Sequence, residues 1–154
     1  MFRAPLQLFR SLAIAEAISW TLLIGGLVLR ATAGWDIAVT IGGGIHGFVF
    51  LSYGATAVLV AKNQRWGAGP AVVAIASAII PYATIPTEIW LHRSGRLEGA
   101  WRVTATGDPR DGAWHDRLMR WFLRRPLVLA LLLAAAVVVI FVVLLLVGPP
   151  GGER

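Results

Sequence analysis

Four stretches of the chain stay apolar for about as long as a membrane crossing requires. A hydrocarbon core of about 30 Å needs roughly 17–25 residues of helix. The first stretch runs from Leu12 to Leu29 and stops at Arg30, and the second runs from Ile37 to Ala61 and stops at Lys62. The third begins after Arg65-Trp66 and continues to Leu91, just before His92-Arg93, while the fourth, Leu127 to Val147, has no polar side chain. Trp35, Trp66 and Trp90 stand at the expected helix ends, where amphipathic rings favour the membrane interface. The pattern predicts an all-α fold, a polytopic membrane helix bundle with four transmembrane helices.

Between the third and fourth stretches the period changes. Asp108-Pro109 reads as a helix start, with Asp as N-cap and Pro at the first helical position. Beyond it Trp114, Leu118, Trp121 and Phe122 share one face, and Arg117, Arg120 and Arg124 share another. That is an amphipathic interfacial helix feeding the fourth span. Arg117, Arg120, Arg124 and Arg125 are candidates for contact with anionic lipid headgroups, or a positive collar that only fixes topology. The chain divides accordingly into a three-helix membrane domain at 5–95, a basic loop with its helix at 96–125, a C-terminal anchor at 126–148 and a tail at 149–154.

Composition narrows the class. Of 154 residues 57% are hydrophobic and 14% are charged, against about a quarter charged in soluble domains. Cysteine is absent, which excludes disulfides, thiolate metal sites and thiol nucleophiles. A pI of about 11.3 would suit a nucleic-acid binder. Here the charge lies between apolar segments, where topology and anionic lipid account for it, so no nucleic-acid partner is expected. Arginine far outnumbers lysine in a chain rich in Ala, Gly and Val, as in a GC-rich bacterial genome, and the expected location is the inner membrane. The first segment, with Arg3 and Arg10 before it and Ala31-Thr32-Ala33 after it, has the outline of a signal peptide. Its length, Glu16 and Trp20 favour a retained helix. With four crossings, Arg30 and the loop from 92 to 126 carry 9 positive charges, against 5 for the N-terminus, second loop and tail. The charge rule then puts both termini outside and the 92–126 loop in the cytoplasm.

Few polar groups interrupt the spans. His46 lies near the middle of the second, and Glu16 is the one charge inside the first. Polar groups at that depth mark packing contacts or functional sites. Helical spacing puts Phe50 and Tyr53 on the face of His46, and Ser19 and Trp20 beside Glu16. Tyr82 reaches a similar depth on the third segment, so a Glu16–His46–Tyr53–Tyr82 cluster is the candidate site. It could simply bond helices together, carry protons, or hold a ligand. One intramembrane histidine cannot supply two axial haem ligands within one chain, and no metal or cofactor is expected. Gly43 and Gly47, with Gly54 further along, offer a small-residue packing face. Pro81 and Pro86 should kink the third helix, leaving Tyr82, Thr84 and Thr87 to bond the freed backbone groups.

Three motifs occur in order: Phe9-Arg-Ser-Leu-Ala-Ile-Ala-Glu16; Gly44-Ile-His46-Gly47-Phe-Val-Phe50 with Tyr53; and Ala76-Ser-Ala-Ile-Ile-Pro81-Tyr82-Ala83-Thr84. Together they resemble a bacterial family of small integral membrane proteins with three spans and a His-Gly motif, classed as a domain of unknown function. The resemblance covers about residues 5–95 and implies that Glu16, His46, Gly47 and Pro81 are the positions to test, with the fourth span an addition. This chain departs from the pattern at Ala17, at Ala83 and in its first loop, which lacks the family's lysine.

No P-loop, HExxH motif, nucleophile elbow or dinucleotide turn is present. The expectation is a non-enzymatic membrane protein acting as a homo-oligomer or as an accessory subunit of another membrane protein. The alternative is a small proton-coupled transporter or channel element using Glu16 and His46.

Overall fold

A computed structural model describes residues 4–147. Arg3, Arg154, residue 148 and the tail from 149 fall outside the described residues. The fold is all-α, a polytopic helical membrane bundle. Helix α1 spans Pro5–Ala33 and α2 spans Asp36–Asn63. Two short helices follow, α3 (Ala68–Ala76), extended by a 3₁₀ turn at Ser77–Ile79, and α4 (Thr84–Arg93). A 3₁₀ turn at Pro109–Gly112 leads into α5 (Trp114–Leu123), and α6 runs from Pro126 to Val147.

Three helices, α1, α2 and α6, are long and apolar enough to cross a membrane. The third expected span is folded differently. It is a hairpin of two half-length helices whose two outer ends lie together. The break has a local cause. Pro81 lacks an N–H and its ring excludes the carbonyl four residues back, while the preceding residue is pushed out of the helical region. Ile80 is extended (φ −103°, ψ 125°), and Tyr82 is left-handed (φ 63°). Pro86 does not kink anything. It lies in the first turn of α4, where a missing N–H leaves no helical bond unmade.

Contacts at the helix ends fix the direction. Arg10, near the start of α1, reaches Glu88 at 2.9 Å, midway along α4, and His92 Nδ1 at 3.1 Å, near its end. Trp66, just before α3, donates through Nε1 to the Arg96 carbonyl (2.8 Å), and Gln64 donates to that of Glu98 (2.7 Å). The start of α1, the end of α2 and both ends of the hairpin therefore share one face of the bundle, together with residues 93–125. The expectation that the N-terminus lies opposite the 92–126 loop is corrected. It came from counting the third segment as a full crossing. Every described Lys and Arg except Arg30 now falls on this face.

The loop on this face is bound down by ions. Arg65 pairs with Asp108 and Asp111, Arg102 reaches both Asp111 (3.2 Å) and Asp116 (3.4 Å), and Lys62 lies 3.2 Å from Asp116. Arg102 also holds the end of α2, its backbone N–H donating to the Asn63 side chain (2.9 Å) and its Nε to the Asn63 carbonyl (2.8 Å). The three carboxyls sit below their ordinary range. Hydrogen bonds from Arg110 lower Asp108, and the Thr106 backbone N–H lowers Asp111. Burial alone would raise Asp116, but Lys62 and Arg102 outweigh it. Asp108 caps only the 3₁₀ turn, accepting from the Arg110 N–H, so α5 begins later than the sequence suggests.

Helices α1 and α2 are antiparallel across a turn at Gly34, whose φ of 68° suits glycine. They pack backbone to backbone. A Cβ on Gly26 would lie 2.7 Å from the Ala38 carbonyl oxygen, and one on Gly42 would lie 2.7 Å from that of Leu22. The expected Gly43–Gly47 seam does not do this. Gly43 meets only a Leu23 methyl at 3.8 Å, Gly54 meets nothing within 4 Å, and Gly47 faces Phe141 of α6 at 3.2 Å. Helix α6 is therefore a packing partner of α2 along part of its length, with Leu129 and Val137 buried.

Gly42→Ala should lower the stability of the detergent-solubilised protein by about 1–3 kcal/mol, because the clash is with backbone that cannot turn aside. Gly44→Ala, in open space, should leave it unchanged or slightly raised. Thermal unfolding of the two variants checks this, and equal effects would contradict the seam.

Candidate functional site

Ser19 joins Glu16 to His46. Glu16 is fully buried on α1. Its nearer oxygen, Oε2, lies 3.9 Å from His46 Nδ1, too far for a direct hydrogen bond. Ser19, one helical turn along, places its hydroxyl 3.0 Å from Glu16 Oε2 and 2.9 Å from His46 Nδ1. Two proton arrangements satisfy these distances: a protonated His46 Nδ1 donating to Ser19, whose hydroxyl donates onward to the Glu16 carboxylate, or a protonated Glu16 donating to Ser19, whose hydroxyl donates to an unprotonated Nδ1. The same hydroxyl lies 2.8 Å from the Glu16 carbonyl. Trp20 packs its ring over His46 at 4.3 Å, with Phe50 at 6.1 Å on another side. Glu16 Oε1 is buried and has no partner among the described residues.

The hairpin tip closes over this pair. Trp20 donates through Nε1 to the Ala78 carbonyl (3.2 Å), in the middle of the 3₁₀ turn. Thr84, buried at the start of α4, donates to the Ala13 carbonyl (3.0 Å). The Tyr53 hydroxyl donates to the Ala74 carbonyl (3.0 Å) and lies 3.1 Å from Ser77 Oγ. The broken segment's backbone is therefore bonded by Trp20, Tyr53 and Ser77, in place of the expected Tyr82, Thr84 and Thr87. Of the four candidate residues, Glu16 and His46 come together through Ser19. Tyr53 is buried one layer away against Phe9 (ring centroids 5.4 Å) and bonds α3. Tyr82 is 44% exposed, with its hydroxyl 3.3 Å from Thr21, outside the cluster.

Ser19 and Trp20 could be read from sequence as neighbours of Glu16, but the bridge itself depends on the α1–α2 register. Thr84 gave no signal beyond its nearness to Pro81. Among the described residues no group of three or more His, Asp or Glu lies close enough to share a metal ion.

The four loop arginines are not equivalent. Arg120 is buried, donating to the Asp111 carboxylate (3.1 Å) and carbonyl (2.7 Å), so it is a structural member of the ion cluster and no headgroup contact. Arg117 bonds the Gly112 carbonyl, Arg124 bonds that of Val103, and Arg125 lies over the Trp121 ring at 4.3 Å. These three stay exposed. The apolar face of α5, with Trp114 73% exposed, points outward, as an interfacial helix requires.

The sequence profile described as "Domain of unknown function (DUF3817)" matches residues 6–93, the stretch that forms α1, α2 and the hairpin. The chain belongs to this family. A Streptomyces coelicolor protein, carried in its name as a candidate membrane protein, is 37% identical over 94 residues. Those residues are 60% of this chain and 11% of that protein, so the chain spans about a tenth of the length of the curated relative it matches. No solved structure matches the chain significantly. Family membership, the relative and the three long apolar helices make this a membrane protein. The DUF3817 match stops at the end of α4, so the ion-bound loop, α5 and α6 lie beyond it.

Replacing Ser19 with Ala removes the bridge without adding bulk. The unfolding free energy in detergent should fall by about 0.6–1.7 kcal/mol, the range for interhelical hydrogen bonds in membranes. Unchanged stability would mean that the bridge does not hold α1 to α2.

Proposed function

We propose that the chain is a non-enzymatic accessory subunit of a membrane assembly, seated in the inner membrane of a bacterium. One observation carries this reading. In the Streptomyces coelicolor protein a stretch of the same kind is a tenth of a much larger polypeptide. A domain that occurs joined to a large membrane protein is suited to sit beside one when it is made separately. The polar groups at mid-membrane agree with a packing role, since Ser19, Trp20, Tyr53 and Thr84 all tie one helix to another. The intact chain, crosslinked in its own membrane and purified in mild detergent, should come with a stoichiometric membrane protein or a second copy of itself. A strictly monomeric, partnerless species would contradict the role.

A second reading is favoured by the unpartnered Glu16 Oε1 and the Glu16–Ser19–His46 chain, namely a proton-coupled element. Glu16→Gln separates the two. The accessory role predicts altered assembly and no change in proton leak through reconstituted vesicles. The proton role predicts a well-assembled protein that loses a flux.

The face bearing all the described Lys and Arg but Arg30 is the cytoplasmic one by the positive-inside rule, so the start of α1 is inside and the end of α6 outside. The chain has no native cysteine to interfere with labelling. Ala33→Cys should react with an impermeant maleimide in intact cells, and Thr104→Cys only after lysis. The reverse pattern would invert the orientation.

A further inference from the structure

We propose that the elbow between α5 and α6 binds one anionic phospholipid, its phosphate held by Arg117, Arg124 and Arg125 and one acyl chain laid in a crevice beside α6. The phosphate site is an open pocket of about 660 Å³ lined by Ala105, Arg117, Arg120, Trp121, Arg124 and Arg125. It holds four arginines and no acid. Arg120 is turned away to Asp111, but the others are positioned with donors left over. Arg124 is anchored through Nε alone to the Val103 carbonyl (2.8 Å). Arg117 grips the Gly112 carbonyl with Nε and Nη2 (3.0 and 2.7 Å). The terminal nitrogens of Arg124, and Nη1 of Arg117, have no hydrogen-bond partner among the described residues. Arg125 lies over the Trp121 ring, its guanidinium carbon 4.3 Å from the centroid. Guanidinium groups fixed in this way present paired donors that match the oxygens of a phosphate.

Depth and surroundings select a lipid over a dissolved phosphate compound. Arg124 and Arg125 directly precede Pro126, the first residue of the membrane-spanning α6. The exposed Trp114, Leu118 and Trp121 put α5 at the interface, so the pocket opens at headgroup level. One residue further along the chain an almost wholly apolar crevice begins. It has a volume of about 370 Å³ and lies between α6 (Leu127, Leu129, Leu133) and Leu8, Leu59 and Trp101. A two-part ligand, anionic at one end and aliphatic at the other, fits this order of surfaces. Basic pockets beside spanning helices on the positive face hold such headgroups elsewhere. The inference is independent of the accessory role and needs only that the chain lies in a bilayer.

Native mass spectrometry of the full-length chain in mild detergent tests it, with titrations of dioleoyl-phosphatidylglycerol, dioleoyl-phosphatidylcholine and glycerol phosphate. The expected result is about tenfold tighter retention of phosphatidylglycerol than of phosphatidylcholine, with glycerol phosphate weaker than phosphatidylglycerol. The double variant Arg124→Gln/Arg125→Gln should bind both lipids alike. Ala130→Trp, which fills the crevice, should weaken both lipids without affecting glycerol phosphate. Equal retention of the two lipids by the parent chain would overturn the proposal, whether or not the variants fold. Glycerol phosphate binding as tightly as phosphatidylglycerol would overturn it in favour of a soluble phosphate ligand.

Discussion

At Pro81 the chain gives up a backbone hydrogen bond at a depth where no water can replace it. In hydrocarbon each unmet carbonyl or amide costs several kcal/mol, so an irregular backbone survives there only when protein surrounds it. The neighbouring helices meet that demand with side chains. Tyr53 of α2 donates to the Ala74 carbonyl and Trp20 of α1 to the Ala78 carbonyl, while the Ser77 carbonyl, which Pro81 leaves without its helical donor, takes the Ile80 N–H at 3.4 Å. Thr84 anchors the returning helix to α1 through the Ala13 carbonyl. The hairpin is thus possible because α1 and α2 already present these donors at mid-depth. Glu16, Ser19 and His46 sit within the same arrangement.

That presentation depends in turn on how closely α1 and α2 approach. Gly26 and Gly42 bring each backbone within reach of the other's carbonyls, and this proximity carries Ser19 up to His46. The hairpin turning back also decides the sidedness of the protein. Because α4 returns to the face where α1 begins, the positive charge of the N-terminal end, the α2 end and the long loop accumulates on one surface. The Asp108–Asp111–Asp116 cluster neutralises part of that charge by binding Arg65, Arg102 and Arg120. Arg117, Arg124 and Arg125 remain exposed beside the entry of α6.

Much of this was legible in the sequence. Lengths of apolar run gave α1, α2 and α6, and the change of period between Trp114 and Arg124 gave the interfacial helix. The isolated polar positions of Glu16 and His46 inside two adjoining apolar runs marked them as a candidate pair. The third segment misled because its 25 or so apolar residues suit one crossing or two half-crossings equally well. Length cannot distinguish a proline that bends a helix from one that reverses it. The placement of Arg10 on the side with fewer positive charges was the available signal, since Arg10 joins the basic face once the segment returns. Gly42 could not be told from Gly43 in a run of three glycines, because the choice rests on helix rotation. Arg120 was placed among the lipid-facing arginines because its partner, Asp111, lies across a turn whose shape the sequence did not fix.

The hairpin is the claim on which sidedness, the closed polar cluster and the charged surface all rest. Electron-spin distance measurement tests it directly, with labels at Gly69→Cys and Arg93→Cys in this cysteine-free chain reconstituted into bilayers. A returning hairpin predicts a separation well under the roughly 30 Å of a hydrocarbon core. A separation near 36 Å, about the rise of a continuous helix between those two positions, would contradict it.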